Sequence, residues 1–226
     1  TAKLPFVSSK EVKIKIEAKI EENVPVSPAE LIYDYRLKEN LDRERLDVVV
    51  SALPISVIDT YIEVVESSGL RALSLEIESQ AVARALIKRD SMDTLLIVQF
   101  GIGKVSLYVV SERLVHFTST VPLRGESIES LDMLSQEIKR LFGYWHTLKV
   151  NIGREDKKLE EIIVCGENMK DSIISYLSSH IQAKVSLGNA WINVMDIERN
   201  IPEISFEDSL KYVASIGLAL PSKILI

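Results

Sequence analysis

The pattern of apolar and polar residues along the chain predicts strands and helices in two successive sets. In the first set, residues 31–37 and 46–53 alternate as strands do, and the charged residues between them indicate a hairpin. Residues 54–69 predict a helix, because apolar residues recur on one helical face and a glycine stands at the end. A strand over 70–77 and a helix over 79–88 complete this set.

The first apolar segment of the chain fits two kinds of structure. Its apolar residues alternate like those of a strand, while Val12, Ile16 and Ile20 alone fit one helical face. Ser8 and Glu11 have the spacing of a capping box. We therefore predict a helix here.

The second set begins with three extended runs separated by short breaks, which indicate an antiparallel meander. Helices and strands then alternate, and a polar stretch between two of them, 151–160, predicts an exposed loop. The predicted strands are 94–100, 105–110, 114–121, 161–165 and 183–187, and the predicted helices are 127–147, 169–180 and 206–220. This alternation predicts a mixed α/β protein whose helices cover its sheets.

Composition narrows the class of partner and the compartment. A net charge of -6 with no basic block argues against nucleic acid as a partner. Cys165 is the only cysteine, so no internal disulfide can form, and a reducing compartment such as the cytoplasm is expected. No apolar run approaches the roughly 20 residues that cross a bilayer, so we expect no membrane insertion. Thr1 in place of a starting Met indicates a chain with residues removed upstream.

Several stretches share one order and spacing with a known protein family. They are Leu4-Pro5, Val24-Pro25-Val26, Asp34-Tyr35, 61–86 (YIEVVESSGLRALSLEIESQAVARAL), 98–109 with 117–123, 144–147 (YWHT), 162–166, 187–194 (LGNAWINV), 204–210 (ISFEDSL) and 216–220 (IGLAL). Together they cover most of the chain. They resemble the PilM family of actin-like proteins of the type IV pilus, which is similar in fold to the cell-division protein FtsA.

The resemblance implies an α/β, actin-like (ribonuclease H-like) fold of two lobes. The first lobe, 1–92, is incomplete and carries an inserted subdomain at about 8–69, and the second lobe is 93–226. The family's first phosphate loop precedes the segment matched by Leu4 and has no counterpart here. The stretch after Gly125 is also shorter than in the family.

The resemblance also implies a function in protein binding. Members of the family lie in the cytoplasm, peripheral to the inner face of the cytoplasmic membrane, and bind the N-terminal cytoplasmic segment of the membrane protein PilN. A PilN-like segment and the platform and motor proteins of the pilus are thus the expected partners, and an oligomer is compatible with this role. By analogy, we expect the binding groove between the sheet of the inserted subdomain, with Tyr33, Tyr35 and 48–50, and the helix 79–88.

The residues that match the family's nucleotide site depart from its pattern. An actin-like site needs two glycine-bearing hairpins and an acidic residue that holds Mg²⁺. Gly101 and Gly103 match one hairpin, but Gln99 replaces the aspartate, and Gly166 is the only glycine left of three at the adenosine-binding turn. We predict a degenerate site at these three glycines, no catalytic residue and no hydrolysis. ATP and Mg²⁺ are expected only if the native chain restores the first phosphate loop, and a tight turn is the commoner reason for glycines between strands.

Other polar residues have ordinary structural explanations. Glu78 precedes a helix and is expected to be solvated or to cap it. His116, His146 and His180 are scattered and lack the spacing of zinc ligands. Cys165 lies on an apolar strand and is expected to be a buried small hydrophobic residue.

Two other functions remain open at this point. One is an ATP-binding actin-like ATPase whose cleft is completed by an upstream segment. The other is a scaffold of a different machine, either FtsA-like or the cytoplasmic part of a type II secretion platform. A C-terminal amphipathic helix that binds membranes would favour the FtsA type, and residues 221–226 are too short to form one.

Overall fold

The computed structural model describes residues 2–5, 9–39, 45–123, 127–148, 151–167, 170–195 and 202–221. The chain divides into two compact units, Thr1–Ile77 and Glu78–Ile226. Within the described helices, none is long and apolar enough to cross a membrane.

The first unit contains a three-stranded antiparallel sheet on which a helix packs. Strand β3 lies between β1 and β2, and Leu31 pairs with Pro54 at one end of the β2–β3 hairpin. The elements are β1 (Ala2–Pro5), α1 (Ser9–Asn23), β2 (Leu31–Glu39), β3 (Arg45–Pro54) and α2 (Ile55–Ser67). The predicted hairpin is confirmed, although both strands extend into the charged stretch expected to form its turn. Residues 40–44 of that turn lie outside the described residues.

Helix α1 resolves the ambiguity of the first segment. Val12, Ile16 and Ile20 are buried and pack with Leu31 and Val48 of the sheet. Their spacing of four residues places them on one helical face, so the helical interpretation is confirmed. The predicted cap residue that precedes the helix lies outside the described residues.

Helix α2 ends at a glycine, as predicted. The Gly69 N–H donates to the Glu66 carbonyl and the Leu70 N–H donates to the Val65 carbonyl, which is the hydrogen-bond pattern of a Schellman motif. Gly69 has a φ of 77°, a conformation that favours glycine. The strand predicted over 70–77 is wrong, because the described part of the chain provides no strand that pairs with this segment.

The second unit contains a five-stranded mixed sheet in the order β6-β5-β4-β7-β8. Strands β4, β5 and β6 form an antiparallel meander, as predicted, and β7 and β8 continue the sheet parallel to β4. The strands are β4 (Thr94–Gly101), β5 (Lys104–Ser111), β6 (Leu114–Pro122), β7 (Glu161–Gly166) and β8 (Lys184–Leu187). The helices are α3 (Glu78–Leu86), α4 (Ile128–Thr147), α5 (Asp171–His180), α6 (Phe206–Ser209) and α7 (Val213–Ala219).

Helices cover both faces of this sheet. Leu96 and Val98 of β4 lie in a core with residues of α4 and α5, while Leu95 and Ile97 lie in a second core with residues of α3 and α7. The alternation of β4 side chains between two buried layers explains why its sequence is a continuous apolar run. Because α3 packs in this unit, the structure groups residues 78–92 with the second unit, whereas the sequence analysis assigns them to the first lobe. That lobe assignment stays a prediction.

The segment 151–160 is a largely exposed loop with a 3-10 turn at Glu155–Lys157, as its polarity predicts. Three of its residues, Asn151, Lys157 and Leu159, are nevertheless buried. The Asn151 amide donates to the Trp145 carbonyl at 2.9 Å, and the Lys157 ammonium lies 2.6 Å from a Glu112 carboxylate oxygen. Because these polar side chains find partners within the protein, they are buried in a loop that is otherwise exposed.

The predicted helix over 206–220 is divided into two helices. Ser205 caps α6 by accepting the Asp208 N–H, and a 3-10 turn at Leu210–Tyr212 separates α6 from α7. Leu210 and Val213 are both buried in the same core. Their separation of three residues matches the 3-10 repeat, which places both side chains on one side of the turn.

Candidate nucleotide site and partner surface

The three glycines of the predicted nucleotide site meet at one edge of the five-stranded sheet. Gly101 ends β4, Gly166 ends the parallel strand β7, and Phe100 pairs with Gly166. Gly103 lies in the turn that joins β4 to β5. Ligands of open α/β sheets bind at the carboxyl ends of parallel strands, so this edge is the expected place for a phosphate or a nucleoside.

The backbone conformation of the turn from Gly101 to Lys104 explains why position 103 is a glycine. Gly103 has a φ of 70°, which the third position of a type II turn requires. Its carbonyl accepts the Leu123 N–H at 3.0 Å. A side chain at Gly101 would meet only ordinary contacts with Lys104, at 3.7 Å or more. Ile102 at the tip is 86% exposed.

Gly166 is required by the packing of two backbones. Its φ is 109°, and a Cβ atom there would lie 2.0 Å from the Phe100 carbonyl oxygen. The next residue, Glu167, donates its N–H to that same oxygen at 2.9 Å. Strand pairing alone therefore explains this glycine, and a role for it in adenosine binding stays a prediction.

Gln99, which replaces the family's aspartate, is held by two side chains. Its amide donates from Nε2 to Glu78 Oε1 at 3.0 Å, and its Oε1 accepts the Tyr108 hydroxyl at 2.7 Å. Glu78 begins α3, so this chain of bonds joins the start of the helix to two strands. An aspartate at position 99 could not donate to Glu78, and it would bring two carboxylates together. The sequence analysis missed this link because Tyr108 lies far from Glu78 along the chain.

Burial and charge raise the pKa of two groups beside this link. The pKa of Tyr108 rises to about 12, first because the phenol is buried, with a smaller contribution from the negative charge of Glu78. The pKa of Cys165 is also raised, again first by burial and then by Glu78. A thiol kept protonated in an apolar core is not a nucleophile, and the expectation of a buried, small hydrophobic Cys165 is confirmed.

The three histidines lie apart from one another, and each packs against or bonds to neighbouring residues of the fold. His116 packs against Trp145 with ring centroids 5.5 Å apart, and His146 accepts the Leu159 N–H at 3.0 Å. His180 stacks on Tyr176 with centroids 4.0 Å apart. Within the described ranges, no group of three His, Cys, Asp or Glu side chains is placed to hold a metal ion.

The fold is similar to that of solved proteins, although no protein-family model and no curated protein sequence matches the chain. A chain of the PilM-PilN type IV pilus biogenesis complex matches with a TM-score of 0.75 and 17% identity. The match covers 100% of this chain and 75% of that one. The chain has the actin-like fold of PilM.

Two further structures match with lower similarity. One is a protein of unknown function from Bacteroides thetaiotaomicron with an actin-like ATPase fold, which has a TM-score of 0.43 and 9% identity over 88% of this chain and 67% of that one. The other is the ethanolamine utilization protein EutJ from Carboxydothermus hydrogenoformans, which has a TM-score of 0.45 and 12% identity over 93% of this chain and 99% of that one.

Within this PilM-like fold, several residues that carry the family resemblance hold α3 against α7. A Cβ atom at Gly217 would lie 1.9 Å from the Ala81 carbonyl oxygen, so only glycine allows this approach of the two helices. The buried Arg84 of α3 donates from Nη1 to the Gly217 carbonyl at 2.8 Å and to the Leu220 carbonyl at 3.3 Å. The guanidinium thus adds a charged donor at the C-terminal end of α7, where the Gly217 carbonyl also accepts the Leu220 N–H at 3.3 Å.

Asn193 performs the corresponding task at the end of α3. Its Nδ2 donates to the carbonyls of Arg84 at 2.9 Å and Ile87 at 2.6 Å. The Asn193 carbonyl in turn accepts a bond from Arg89 Nη2 at 3.0 Å. Arg84 and Asn193 both lie in stretches that match the family, but the sequence indicated no role for them. Asn193 contacts the end of α3 across more than 100 residues of sequence, and no local sequence pattern predicts such a contact.

In the first unit, residues predicted to line the partner groove lie on the face of the sheet that α1 covers. Val48 is buried there, Tyr33, Tyr35 and Val50 pack against it while partly buried, and the Tyr33 hydroxyl donates to Glu17 Oε1 at 2.6 Å. This bond and burial raise the pKa of Tyr33 to about 12, with burial the larger cause. The groove itself stays a prediction. Side chains alternate across a strand, so the opposite face of the sheet carries the even residues of β2. There Ile32 is 54% exposed and pairs with Leu53.

Proposed function

We propose that this protein is a scaffold of a type IV pilus assembly platform and that it binds the N-terminal cytoplasmic segment of a PilN-like membrane protein. The observation that carries the proposal is the likeness in fold, over the whole chain, to a chain of the PilM-PilN complex, with a TM-score of 0.75. The order of sequence motifs supports it independently, because residues such as Arg84 and Gly217 match the family and join α3 to α7.

The proposed role places the protein in the cytoplasm, against the inner face of the membrane. The free, buried thiol of Cys165 fits a reducing compartment. The membrane attachment comes from the partner, since a PilN-like protein carries its own membrane anchor. Pilus motor and platform proteins are the further partners of such a scaffold.

We place the docking surface on the face of the first unit's sheet that α1 leaves uncovered. Ile32 is exposed there beside Leu53, and an apolar side chain of an extended segment would cover both. Ile14 provides a matched comparison, since it is also an exposed isoleucine of the first unit, at 67%, but lies on α1.

The test is co-purification from membranes. The chain is produced together with the PilN-like protein encoded in the same genome, either complete or without its N-terminal cytoplasmic segment. We expect co-purification with the complete protein and loss with the shortened one. Ile32→Asp should reduce co-purification, while Ile14→Asp should retain it. Equal recovery of the complete and the shortened PilN-like protein would contradict the proposal.

We further propose that this chain acts without nucleotide hydrolysis. Gln99 is engaged by Glu78 and Tyr108 and supplies no charge for Mg²⁺. Calorimetric titration of this chain with Mg-ATP tests whether nucleotide binds at all. No heat is the expected result. Micromolar binding would favour an ATP-dependent, actin-like protein instead.

A further inference from the structure

Four residues form an exposed stripe along one side of α4. Met133, Glu137, Arg140 and Tyr144 follow one another at spacings of four, three and four residues, so their side chains lie on one face of the helix. Met133 is 52% exposed and Tyr144 is 48% exposed. Another face of α4 is buried in the core, so the stripe is a second surface of this helix, open to solvent.

The stripe lies beside the edge of the five-stranded sheet. Strand β6 is the end strand of that sheet. The Ser119 hydroxyl of β6 donates to Glu137 Oε1 at 2.9 Å, and the centroid of the Phe117 ring lies 5.4 Å from that of Tyr144. Because these contacts fix two residues of the stripe, a partner meets a surface that is already formed.

The ion pair at the centre of the stripe is able to take further partners. Arg140 donates from Nε to Glu137 Oε2 at 2.7 Å and from Nη2 to Glu137 Oε1 at 2.6 Å, while 65% of its side chain stays exposed. The bond from Arg140 is the main reason that the pKa of Glu137 is lowered, so the carboxylate is charged at neutral pH. A guanidinium has five N–H groups and a carboxylate has about four lone-pair sites, so each group can bond to a second partner.

The order of the four residues is self-complementary. When a second copy of α4 lies antiparallel, with a twofold axis midway between Glu137 and Arg140, each Glu137 lies opposite Arg140 of the other copy. The same axis places each Met133 opposite Tyr144 of the other copy, and contact of a methionine sulfur with an aromatic ring is favourable. A parallel arrangement would instead bring like charges together, which disfavours it. Because one sequence supplies both sides of every contact, the stripe fits a second copy of this chain.

We propose that α4 forms the interface of a homodimer, in which the stripes of two copies pack antiparallel about this axis. The proposal depends on neither the candidate nucleotide site nor the PilN-like partner. One helix face covers less area than a standard protein interface, so we expect a weak dimer with a dissociation constant on the order of 100 µM.

The first experiment is analytical ultracentrifugation of the whole chain over a range of protein concentrations. Glu137→Arg places four arginines at the centre of the interface and Arg140→Glu places four glutamates there, so each variant alone should dimerise at least about tenfold more weakly. A mixture of the two variants restores opposite charges across the axis and should dimerise about as strongly as the unchanged chain. This mixture separates a lost interface from a lost fold.

Glu22→Arg is the matched control for these charge reversals. Glu22 pairs with Lys19 three residues away on the exposed surface of α1, as Arg140 pairs with Glu137 on α4. The control changes the net charge by the same amount as Glu137→Arg but lies outside the stripe. It should leave the dissociation constant within about twofold.

The orientation of the two helices is tested by disulfide cross-linking. Met133→Cys and Tyr144→Cys on separate copies should cross-link under an oxidant when the two variants are mixed. Tyr144→Cys alone should not, because the antiparallel arrangement places the two copies of position 144 at opposite ends of the interface. The native Cys165 is buried and does not interfere.

Four results would overturn the proposal. The first is a chain that stays monomeric at about 1 mM, since the stripe would then not bind a second copy. The second is a mixture of Glu137→Arg and Arg140→Glu that dimerises no better than either variant alone. The third is equal weakening by Glu22→Arg, which would mean that net charge and not the stripe controls association. The fourth is cross-linking of Tyr144→Cys to itself, which would indicate a parallel arrangement.

Discussion

The contact between α3 and α7 and the turn at Gly101 to Gly103 both resemble the same family, yet they differ in what surrounds their residues. At the helix contact, Gly217 touches the backbone of Ala81, and the buried Arg84 bonds across the contact. At the turn, Gly103 has open space around it and Ile102 is exposed. Packing thus requires a glycine at position 217, whereas the backbone conformation of the turn favours a glycine at position 103. The match to family residues therefore supports the fold at the contact of α3 with α7, but it does not indicate whether the turn at Gly101 to Gly103 binds a ligand.

The largest expected effect is at Gly217. Gly217→Ala should destabilise the protein by about 3 kcal/mol, because the new methyl group overlaps the Ala81 carbonyl. Gly143→Ala is the control, since this glycine lies in α4 with nothing within 4 Å of an added Cβ. The control should stabilise the protein by about 0.5–1 kcal/mol. Urea unfolding measures both, and a similar loss in the two variants would refute the packing argument.

Removal of the buried arginine should have the next largest effect. Arg84→Met retains an unbranched side chain but leaves the Gly217 and Leu220 carbonyls without the guanidinium, so we expect a loss of about 2–4 kcal/mol. Arg140→Met is the matched control, because Arg140 is exposed and pairs with Glu137 on the same helix. Its removal should leave the stability unchanged within error, because an exposed ion pair contributes little. If denaturant midpoints shift equally, Arg84 does not hold the two helices.

A smaller effect is expected where Gln99 replaces the family's aspartate. Gln99→Asp should cost about 1–2 kcal/mol at neutral pH, because Glu78 loses a donor and gains a like charge. Addition of Glu78→Gln should restore stability at neutral pH by removing the repulsion. If Gln99→Asp alone is stable and binds Mg²⁺, the site tolerates an acidic residue and needs only that residue to hold the ion.

The smallest effect concerns the phenol of Tyr108. Tyr108→Phe removes one hydrogen bond to Gln99 and should cost about 1 kcal/mol. The pKa of Tyr108 is raised from 10.0 to about 12, so folding favours its protonated form. The stability that this contributes is fully present below about pH 10 and is lost as the pH rises toward 12. Ultraviolet titration of tyrosinate in the protein and the variant checks this, and a Tyr108 phenol that titrates at its ordinary pKa would contradict it.

Local patterns predicted most of the fold. Cap spacing chose the correct structure for α1, and periodicity placed the meander and α4 close to their observed bounds. The strand over 70–77 failed because a strand exists only with a partner, and no described strand pairs with it. The polarity of the segment 151–160 predicted its exposure but not the burial of Lys157, because the partner of Lys157, Glu112, lies far along the chain.

The sequence predicted where the candidate site lies but not which hydrogen bonds its side chains make. Three glycines identified an edge where β4 and β7 end together. The use of Gln99 to join Glu78 and Tyr108 depends on side chains brought together by folding. Likewise, the alternation along β2 was visible in the sequence, but it did not indicate which face of the sheet, that with Tyr33 or that with Ile32, α1 covers.

We propose that the protein binds the N-terminal cytoplasmic segment of a PilN-like protein without needing nucleotide. Calorimetric titration of the chain with a synthetic peptide of that segment, in the presence and absence of Mg-ATP, tests both parts of this proposal. We expect micromolar binding of one peptide per chain, equal in both conditions and weakened by Ile32→Asp. Absence of peptide binding in both conditions would contradict the claim of a PilN-like partner, and binding only with Mg-ATP would contradict the claim that nucleotide is dispensable.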